Sequence, residues 1–223
     1  LEPVDVPRVS TRFRTICTKI PVPESISMLE EITLYESRSM HGQIPVIWDR
    51  AEDFQVYDPY GNKWLDFTST IFVANSGHSN PSIISAIREM LDKKLLHTYT
   101  FISEIRIKFL KKLIEMTPPY LERAFLLSAG TASTDAAVKL MRMHGQLAKE
   151  SKIGIVSFKG SMHGRTMCAE MLKGDPASSK WIGYRDPNIH AIDFPYPWLA
   201  QGVSYDWHAH FSRDMENLEK SGV

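Results

Sequence analysis

The stretch from residue 124 to residue 142 reads AFLLSAGTASTDAAVKLMR and joins an apolar run to a helical pattern through a corner of small residues. The run from Ala124 to Leu127 has the length of a strand buried on both faces of a sheet. After the corner, apolar residues recur with helical spacing, and Asp135 lies in the first turn, where a carboxylate stabilises the helix dipole. Strand, corner and helix together predict the first part of a βαβ unit in a parallel sheet. This stretch therefore indicates an α/β protein.

The corner itself, Ser128 to Thr131, is a candidate anion site. Backbone N–H groups at the start of a helix point towards one place and favour a negative charge such as a phosphate. Gly130 allows a sharp turn and a close approach to a ligand, and Thr131 or Ser133 is expected to cap the helix with its hydroxyl. A strand–turn–helix junction without any ligand is the alternative interpretation of this stretch alone.

Two further parallel strands are predicted after the helix, at Lys152 to Phe158 and at Asn188 to Phe194. Ligands of α/β sheets bind at the carboxyl ends of such strands. The loop that follows the first of them reads GSMHGRT and contributes Met162, His163 and Arg165. Beside the anion corner, these three side chains predict a binding site.

The rest of the chain predicts an extended arm, a small antiparallel unit and several helices. Residues 1–25 hold four of the 13 prolines, which indicates the arm. Short β-branched or aromatic runs predict three strands, with a type I turn of sequence DPYG between the second and the third. The strands are Ile44 to Trp48, Phe54 to Tyr57 and Lys63 to Phe67. The helices are one capped by Asn80 with Pro81 at its first position, one from about Ser103 to Met116, one from about Thr166 to Leu172, and a last one that ends at Gly222.

Composition argues against several classes of function. The 26 basic and 26 acidic residues cancel, so the chain has no basic field that could hold nucleic acid or an anionic membrane. Cys17 and Cys168 are far apart and form no CxxC pair, which favours a reducing, cytoplasmic location. The longest apolar runs are about four residues, against the roughly 20 that a membrane helix needs.

Metal and nucleophile motifs are not found in the sequence. His208 and His210 are the only close histidine pair, and their side chains would point to different sides of a helix, with no CxxC or HExxH partner. The corner lacks the lysine of a Walker motif, and no serine nucleophile elbow is present. We therefore expect no metal ion and no nucleoside triphosphate hydrolysis.

Three blocks of the sequence resemble the class III pyridoxal-phosphate-dependent aminotransferases. SAGTASTDAAVKLMR is similar to the family block S-G-T-E-A-x-E-A-A-x-K-x-A-R, and SFKGSMHGRT is similar to F-x-G-x-[FY]-H-G-R-T. Upstream, VYDPYGNKWLDFTSTIFVANSGHSNP resembles the segment D-x-x-G-x-x-Y-L-D-F followed by G-H-x-x-P. The blocks occur in the family's order with suitable spacing, and the resemblance covers about Ile44 to Gly174.

The resemblance implies part of a fold-type-I transferase, whose large domain has three layers, αβα, around a mainly parallel sheet. Residues 1–67 are expected to form the arm and the small antiparallel unit, which belong to the small domain, and residues 68–223 the first part of the large domain. In the family's order, the aspartate that pairs with the pyridine nitrogen and the Schiff-base lysine come later than Val223. The chain is therefore expected to be the N-terminal half of a homodimeric enzyme, with no catalytic residue of its own.

The resemblance also implies which residues bind pyridoxal phosphate. The backbone at Ala129, Gly130 and Thr131 is expected to hold the phosphate. Met162 stands where the family has a phenylalanine or tyrosine stacked on the ring, and a thioether can still cover the ring face. His163 lies beside it.

Two residues are expected to contact the substrate. Arg165 matches an arginine that binds the substrate carboxylate in γ-aminobutyrate-type members, a task that suits the planar fork of a guanidinium. Ile71 matches a position at the substrate entrance. The chain departs from the family pattern at Ala132 and Asp135, which replace glutamates, and at Asp53, which replaces a glycine.

The function implied for the intact parent is transfer of an amino group from an ω- or γ-amino acid, or a related amine, to a 2-oxo acid. A lyase, racemase or aminomutase on the same scaffold is one alternative. A non-catalytic truncated module is another.

Overall fold

The computed structural model describes residues 1–196 and 206–220. The chain divides into two units, Leu1–Ser103 and Glu104–Val223, and each contains its own β-sheet. Within the described residues, no helix is both long and apolar enough to cross a membrane.

The first unit is built on an antiparallel sheet. Its strands are β1 (Val9–Ser10), β2 (Thr15–Ile16), β3 (Arg50–Glu52), β4 (Gln55–Tyr57) and β5 (Lys63–Leu65), and its helices are α1 (Ile26–Tyr35), α2 (Ser69–Phe72) and α3 (Pro81–Asp92). The strand order is β1-β2-β5-β4-β3, so the proline-rich arm supplies two strands of the sheet. Asn80 caps α3 as predicted, because its side-chain oxygen accepts a hydrogen bond from the Ser82 N–H at 3.0 Å.

The buried side chain of Asn62 holds the arm to this sheet. Only 1% of Asn62 is exposed. Its amide nitrogen donates to Asp58 Oδ2 at 2.7 Å and to Thr18 Oγ1 at 2.8 Å, and its amide oxygen accepts from the Cys17 N–H at 2.8 Å. Asp58 also accepts from the N–H groups of Tyr60 and Asn62, which closes the predicted DPYG turn. One amide thus joins the turn between β4 and β5 to the arm.

The predicted strand from Ile44 to Trp48 is wrong, and β3 forms at Arg50–Glu52 instead. A turn at Asp53, with φ +49°, sets the register that pairs Arg50 with Tyr57, the last residue of β4. Residues before position 49 therefore lie beyond the end of their partner strand. β-propensity alone predicted a strand where pairing was not available.

The second unit contains a parallel pair of strands flanked by helices. Its elements are α4 (Glu104–Glu115), α5 (Gly130–Ala148), β6 (Ile155–Phe158), α6 (Met167–Met171), β7 (Ile189–Ile192) and α7 (Trp207–Lys220). β6 and β7 are parallel, as predicted, with Ile155 opposite Ile189. The core consists of Val138, Ile155, Leu172 and Ile189, so α5 and the end of α6 cover this sheet. The predicted helix end at Gly222 lies outside the described residues.

The predicted strand from Ala124 to Leu127 is wrong. These residues have no regular structure, and 69% of Phe125 is exposed. A strand needs neighbouring N–H and C=O groups to pair with, and β6 and β7 are the only strands described in this unit. The apolar run has the composition of a buried strand, but nothing among the described residues pairs with it.

Arg142 holds α5 to the segments that precede β6 and β7. Its Nη1 lies 2.8 Å from Asp186 Oδ2, and its Nε donates to the Ile153 carbonyl at 2.9 Å. Burial raises the pKa of Asp186, but hydrogen bonds from Arg142 and Asn188 outweigh that effect and lower the pKa. The orientation of α5, and therefore of its first turn, is set by this ion pair together with the core.

Candidate functional site

The structure brings together the two segments predicted to form a site, which are the first turn of α5 and the loop between β6 and α6 (residues 159–166). Thr131 Oγ1 lies 2.8 Å from Thr166 Oγ1. One turn further along the helix, Thr134 Oγ1 donates to the His163 carbonyl at 3.0 Å. Side chains of the helix thus bind both the middle and the end of the loop.

Gly164 permits this close approach. Its φ is +131°, a conformation that side chains rarely adopt, and a Cβ built on it would collide with Thr131. Only a glycine therefore lets the loop lie against the first turn of α5. The sequence motif contains this glycine, but its packing role requires the structure.

The start of α5 has the properties of an anion site. The helix begins at Gly130 after the extended residue Ala129, and the N–H groups of its first three residues, 130–132, have no acceptor within the helix. A Cβ at Gly130 would meet no atom within 4 Å, so the space beside this glycine is open. A helix of 19 residues adds the positive end of its dipole. Such a helix start is suited to binding an anion such as a phosphate.

The predicted side-chain cap of α5 is wrong. No side chain caps this helix. Thr131 bonds to Thr166 instead, and Ser133 Oγ donates back to the Ala129 carbonyl at 3.1 Å. The two hydroxyls are hydrogen-bonded to the loop and to the preceding turn. The N–H groups at the start of the helix therefore remain available to other acceptors.

The ring of His163 is held by Ser161. Ser161 Oγ donates its hydrogen to the Phe158 carbonyl at 2.6 Å and lies 2.8 Å from His163 Nε2. Because the hydroxyl hydrogen is already used, Nε2 must be the donor in this pair. In the neutral ring, Nδ1 is then an acceptor.

Met162 and Arg165 are both exposed, with 72% of Met162 accessible. Arg165 forms no ion pair with the described residues. The loop therefore presents a thioether and a guanidinium to the surface, while it turns His163 inward to Ser161. A thioether can cover an aromatic ring face and a guanidinium can bind a carboxylate.

Ile71 belongs to the first unit, where it lies in α2 with φ +57° and 72% of its surface exposed. The start of this turn is held by Asp66, which accepts hydrogen bonds from the N–H groups of Thr68 and Thr70. Asp66 Oδ2 also lies 2.8 Å from His78 Nε2. Burial raises the pKa of Asp66, but the hydrogen bonds from His78, Thr68 and Thr70 lower it to about 2.

Asp135 and Thr166 are site residues that the sequence analysis did not identify. Thr166 Oγ1 donates to Asp135 Oδ1 at 3.0 Å. Burial raises the pKa of the Cys168 thiol in α6, and the Asp135 carboxylate adds to that rise. One signal was available, because Thr131 and Asp135 are four residues apart and therefore share a helix face.

A cleft of about 610 Å³ opens at the carboxyl ends of β6 and β7. Its aromatic lining includes Phe158 and Phe194, whose rings meet edge to face at 5.1 Å, and Tyr196 beside Phe194. The ion pair of Lys159 with Asp193, at 2.9 Å, also borders the cleft. Gly160 also lines it, so the cleft borders the loop of the site.

No metal centre is present in the part of the chain that the structure describes, where no three histidine, cysteine or acidic residues are grouped to bind an ion. In the predicted histidine pair, the ring of His208 stacks on Trp207 at 3.4 Å, and His210 Nδ1 lies 2.7 Å from Arg213 Nη2. These two histidines therefore have other contacts.

Comparison with known proteins finds aminotransferases, both by family model and by sequence similarity. The family model for class-III aminotransferases matches residues 36–222. Ornithine aminotransferase of Oceanobacillus iheyensis is 28% identical over 173 residues, which are 76% of this chain and 43% of that protein. The 5-aminovalerate aminotransferase of Pseudomonas aeruginosa is 34% identical over 137 residues, 60% of this chain and 31% of that protein.

Solved structures show the fold. A taurine:2-oxoglutarate aminotransferase from Bifidobacterium kashiwanohense, in complex with PLP and glutamate, matches with a TM-score of 0.75 and 24% identity over 89% of this chain and 45% of that one. A transaminase from the marine bacterium Virgibacillus matches with a TM-score of 0.74 and 23% identity, over 88% and 45%. The predicted α/β fold class is confirmed. The chain spans less than half the length of these relatives.

Proposed function

Because the chain belongs to the class-III aminotransferase family, we propose that the intact protein transfers an amino group from an ω- or γ-amino acid, or a related amine, to a 2-oxo acid, with pyridoxal phosphate as cofactor. The observation that carries the proposal is the docking of the loop 159–166 on the open N-terminus of α5, through Thr131 and Thr166 at 2.8 Å. Relatives named for ornithine, acetylornithine and 5-aminovalerate support the substrate class.

The residues of this chain divide the work of binding the cofactor. When bound, pyridoxal phosphate supplies an electron sink for the bonding electrons released at the amine-bearing carbon. The backbone of Ala129, Gly130 and Thr131 would hold its phosphate through N–H groups and the helix dipole. Met162 would cover the ring, and His163, fixed by Ser161, would support the loop beside it. The Schiff-base lysine expected after Val223 is part of the same proposal.

A spectroscopic experiment tests the proposed function. The intact protein mixed with pyridoxal phosphate is expected to develop a visible absorption band that sodium borohydride removes, because a lysine joined to the cofactor as an imine is reducible. A chain that binds the cofactor without such a band would be a non-catalytic module, which would contradict the enzymatic proposal. Product analysis for transferred amino group against released ammonia separates an aminotransferase from a lyase.

Arg165 is proposed to bind the substrate carboxylate. Arg165→Lys in the intact enzyme should raise KM about tenfold for an ω-amino acid, since an ammonium cannot form the bidentate pair of a guanidinium, and should leave KM for a plain amine within about twofold. Arg185→Lys, at another exposed arginine of the same unit, is the matched control. Equal increases for both donors would exclude Arg165 from this role.

The assembly and location of the protein are also proposals. A homodimer is supported by the apolar side chains Ile83, Ile87 and Leu91, which are about half exposed on α3 and could be covered in an assembly. A cytoplasmic location, with no nucleic-acid or membrane partner, is supported by the free thiols of Cys17 and Cys168 and by the balanced charge. The division into a small-domain part, residues 1–67, and a large-domain part, residues 68–223, remains a prediction for the intact fold.

A further inference from the structure

We propose that Asp135 and Thr166 are positioning residues for the phosphate-binding turn. Their hydrogen bonds use the hydrogen of the Thr131 hydroxyl, so that this turn holds the phosphate through main-chain N–H groups only. The inference rests on the proposed function. It assigns to two side chains outside the expected binding set the task of orienting the first turn of α5.

The distances fix the direction of each hydrogen bond. A carboxylate can only accept, so Thr166 Oγ1 donates its single hydrogen to Asp135 Oδ1, 3.0 Å away. Thr166 Oγ1 can then only accept from Thr131 Oγ1, at 2.8 Å. The Thr131 hydroxyl therefore has no hydrogen left to donate to a phosphate oxygen. Its oxygen in turn faces the Thr166 N–H at 3.4 Å.

This series of hydrogen bonds, Thr131 to Thr166 to Asp135, begins and ends on α5. It leaves the helix at its second residue, passes through the last residue of the loop, and returns to the helix one turn later. Such a closed arrangement restrains the rotation of the first turn, where the N–H groups have no helical acceptor. The Asp135 carboxylate, which carries the same sign of charge as a bound phosphate, accepts its hydrogen bond from the neutral hydroxyl of Thr166.

The experiment compares two ligands that differ only in the phosphate. Apparent dissociation constants of pyridoxal phosphate and of pyridoxal are measured on the intact apoprotein by quenching of tryptophan fluorescence. Thr166→Val removes the hydroxyl at nearly constant volume, and we expect it to weaken pyridoxal phosphate binding about three- to tenfold and to leave pyridoxal binding unchanged. Thr166→Ser keeps the hydroxyl and should bind within about twofold of wild type. Ser133→Ala is the matched control, because among the residues that the structure describes its hydroxyl bonds to the Ala129 carbonyl and not to the loop.

A double-substitution cycle separates positioning from direct contact. If Thr131 acts through Thr166, then Thr131→Val and Thr166→Val have similar effects, and the double variant is no weaker than either alone. If the Thr131 hydroxyl binds the phosphate, Thr131→Val is the weaker binder and the two effects add, which overturns the inference.

Further outcomes would contradict either the positioning role or the proposed cofactor site. Unchanged phosphate affinity in Thr166→Val, or equal weakening in Thr166→Ser and Thr166→Val, overturns the positioning role while the proposed function stands. A wild-type protein that does not prefer pyridoxal phosphate to pyridoxal contradicts the proposed cofactor site itself, and the inference with it.

Discussion

Gly164→Ala should separate the loop 159–166 from α5 and weaken pyridoxal phosphate binding by at least tenfold. The new methyl group would overlap Thr131, and the backbone at φ +131° would have to move. A left-handed conformation alone costs an alanine about 1–2 kcal/mol, and relief of the overlap requires the loss of the hydrogen bond between Thr131 and Thr166 as well. Cofactor titration and thermal unfolding measure the two consequences.

Gly160→Ala is the matched control for this substitution. Gly160 lies in the same loop with φ +74°, but a Cβ there would meet no atom within 4 Å. It should therefore show only the conformational cost, about 1–2 kcal/mol of stability, with pyridoxal phosphate affinity close to wild type. If the two variants lose affinity equally, the close approach of Gly164 to α5 does not matter for the site.

Asn62→Ala should lower the free energy of unfolding of the first unit by about 3 kcal/mol. The substitution removes three side-chain hydrogen bonds and leaves buried Asp58 and the partly buried Thr18 hydroxyl and Cys17 N–H without these partners. Each unsatisfied buried polar group costs about 1–3 kcal/mol, and partial hydration after the arm loosens reduces the sum.

Urea unfolding followed by tryptophan fluorescence is a suitable measurement, because Trp64 lies in β5 and donates to Asp58 Oδ2 at 3.3 Å. Asn188→Ala is the control. Within the described part of the chain the Asn188 side chain bonds to Asp186 alone, two residues away, and its removal should cost less than about 1 kcal/mol. A loss of similar size in both variants would show that the arm is not held by Asn62.

Helices were predicted better than strands because their signals are local. The cap Asn80, the residue Pro81 and the apolar spacing after them are sufficient to start α3, since every backbone hydrogen bond of a helix lies within the segment. The runs Ala124 to Leu127 and Ile44 to Trp48 have strand composition, but strand formation also needs a partner in register. That partner is a property of the whole sheet, and the local sequence does not contain it.

In the site, too, some features were predictable from the sequence and others depend on the fold. The loop after β6 was predicted to lie beside the corner at Gly130, and the two do meet, although the strand expected before that corner does not form. The use of each hydroxyl was not predictable. Thr131 was expected to cap its own helix, but it bonds to Thr166, because the loop approaches closely enough at Gly164 to compete for it.

The hydrogen bonds that join the loop to α5 also bear on how the protein folds. They connect residues that are 35, 31 and 29 positions apart, and all of these residues lie between positions 131 and 166. Contacts of short sequence separation cost little loop-closure entropy and form quickly. This part of the site can therefore assemble while the chain is still being synthesised, once Asp186 and β7 have emerged to orient α5, and could provide a formed surface on which later segments pack.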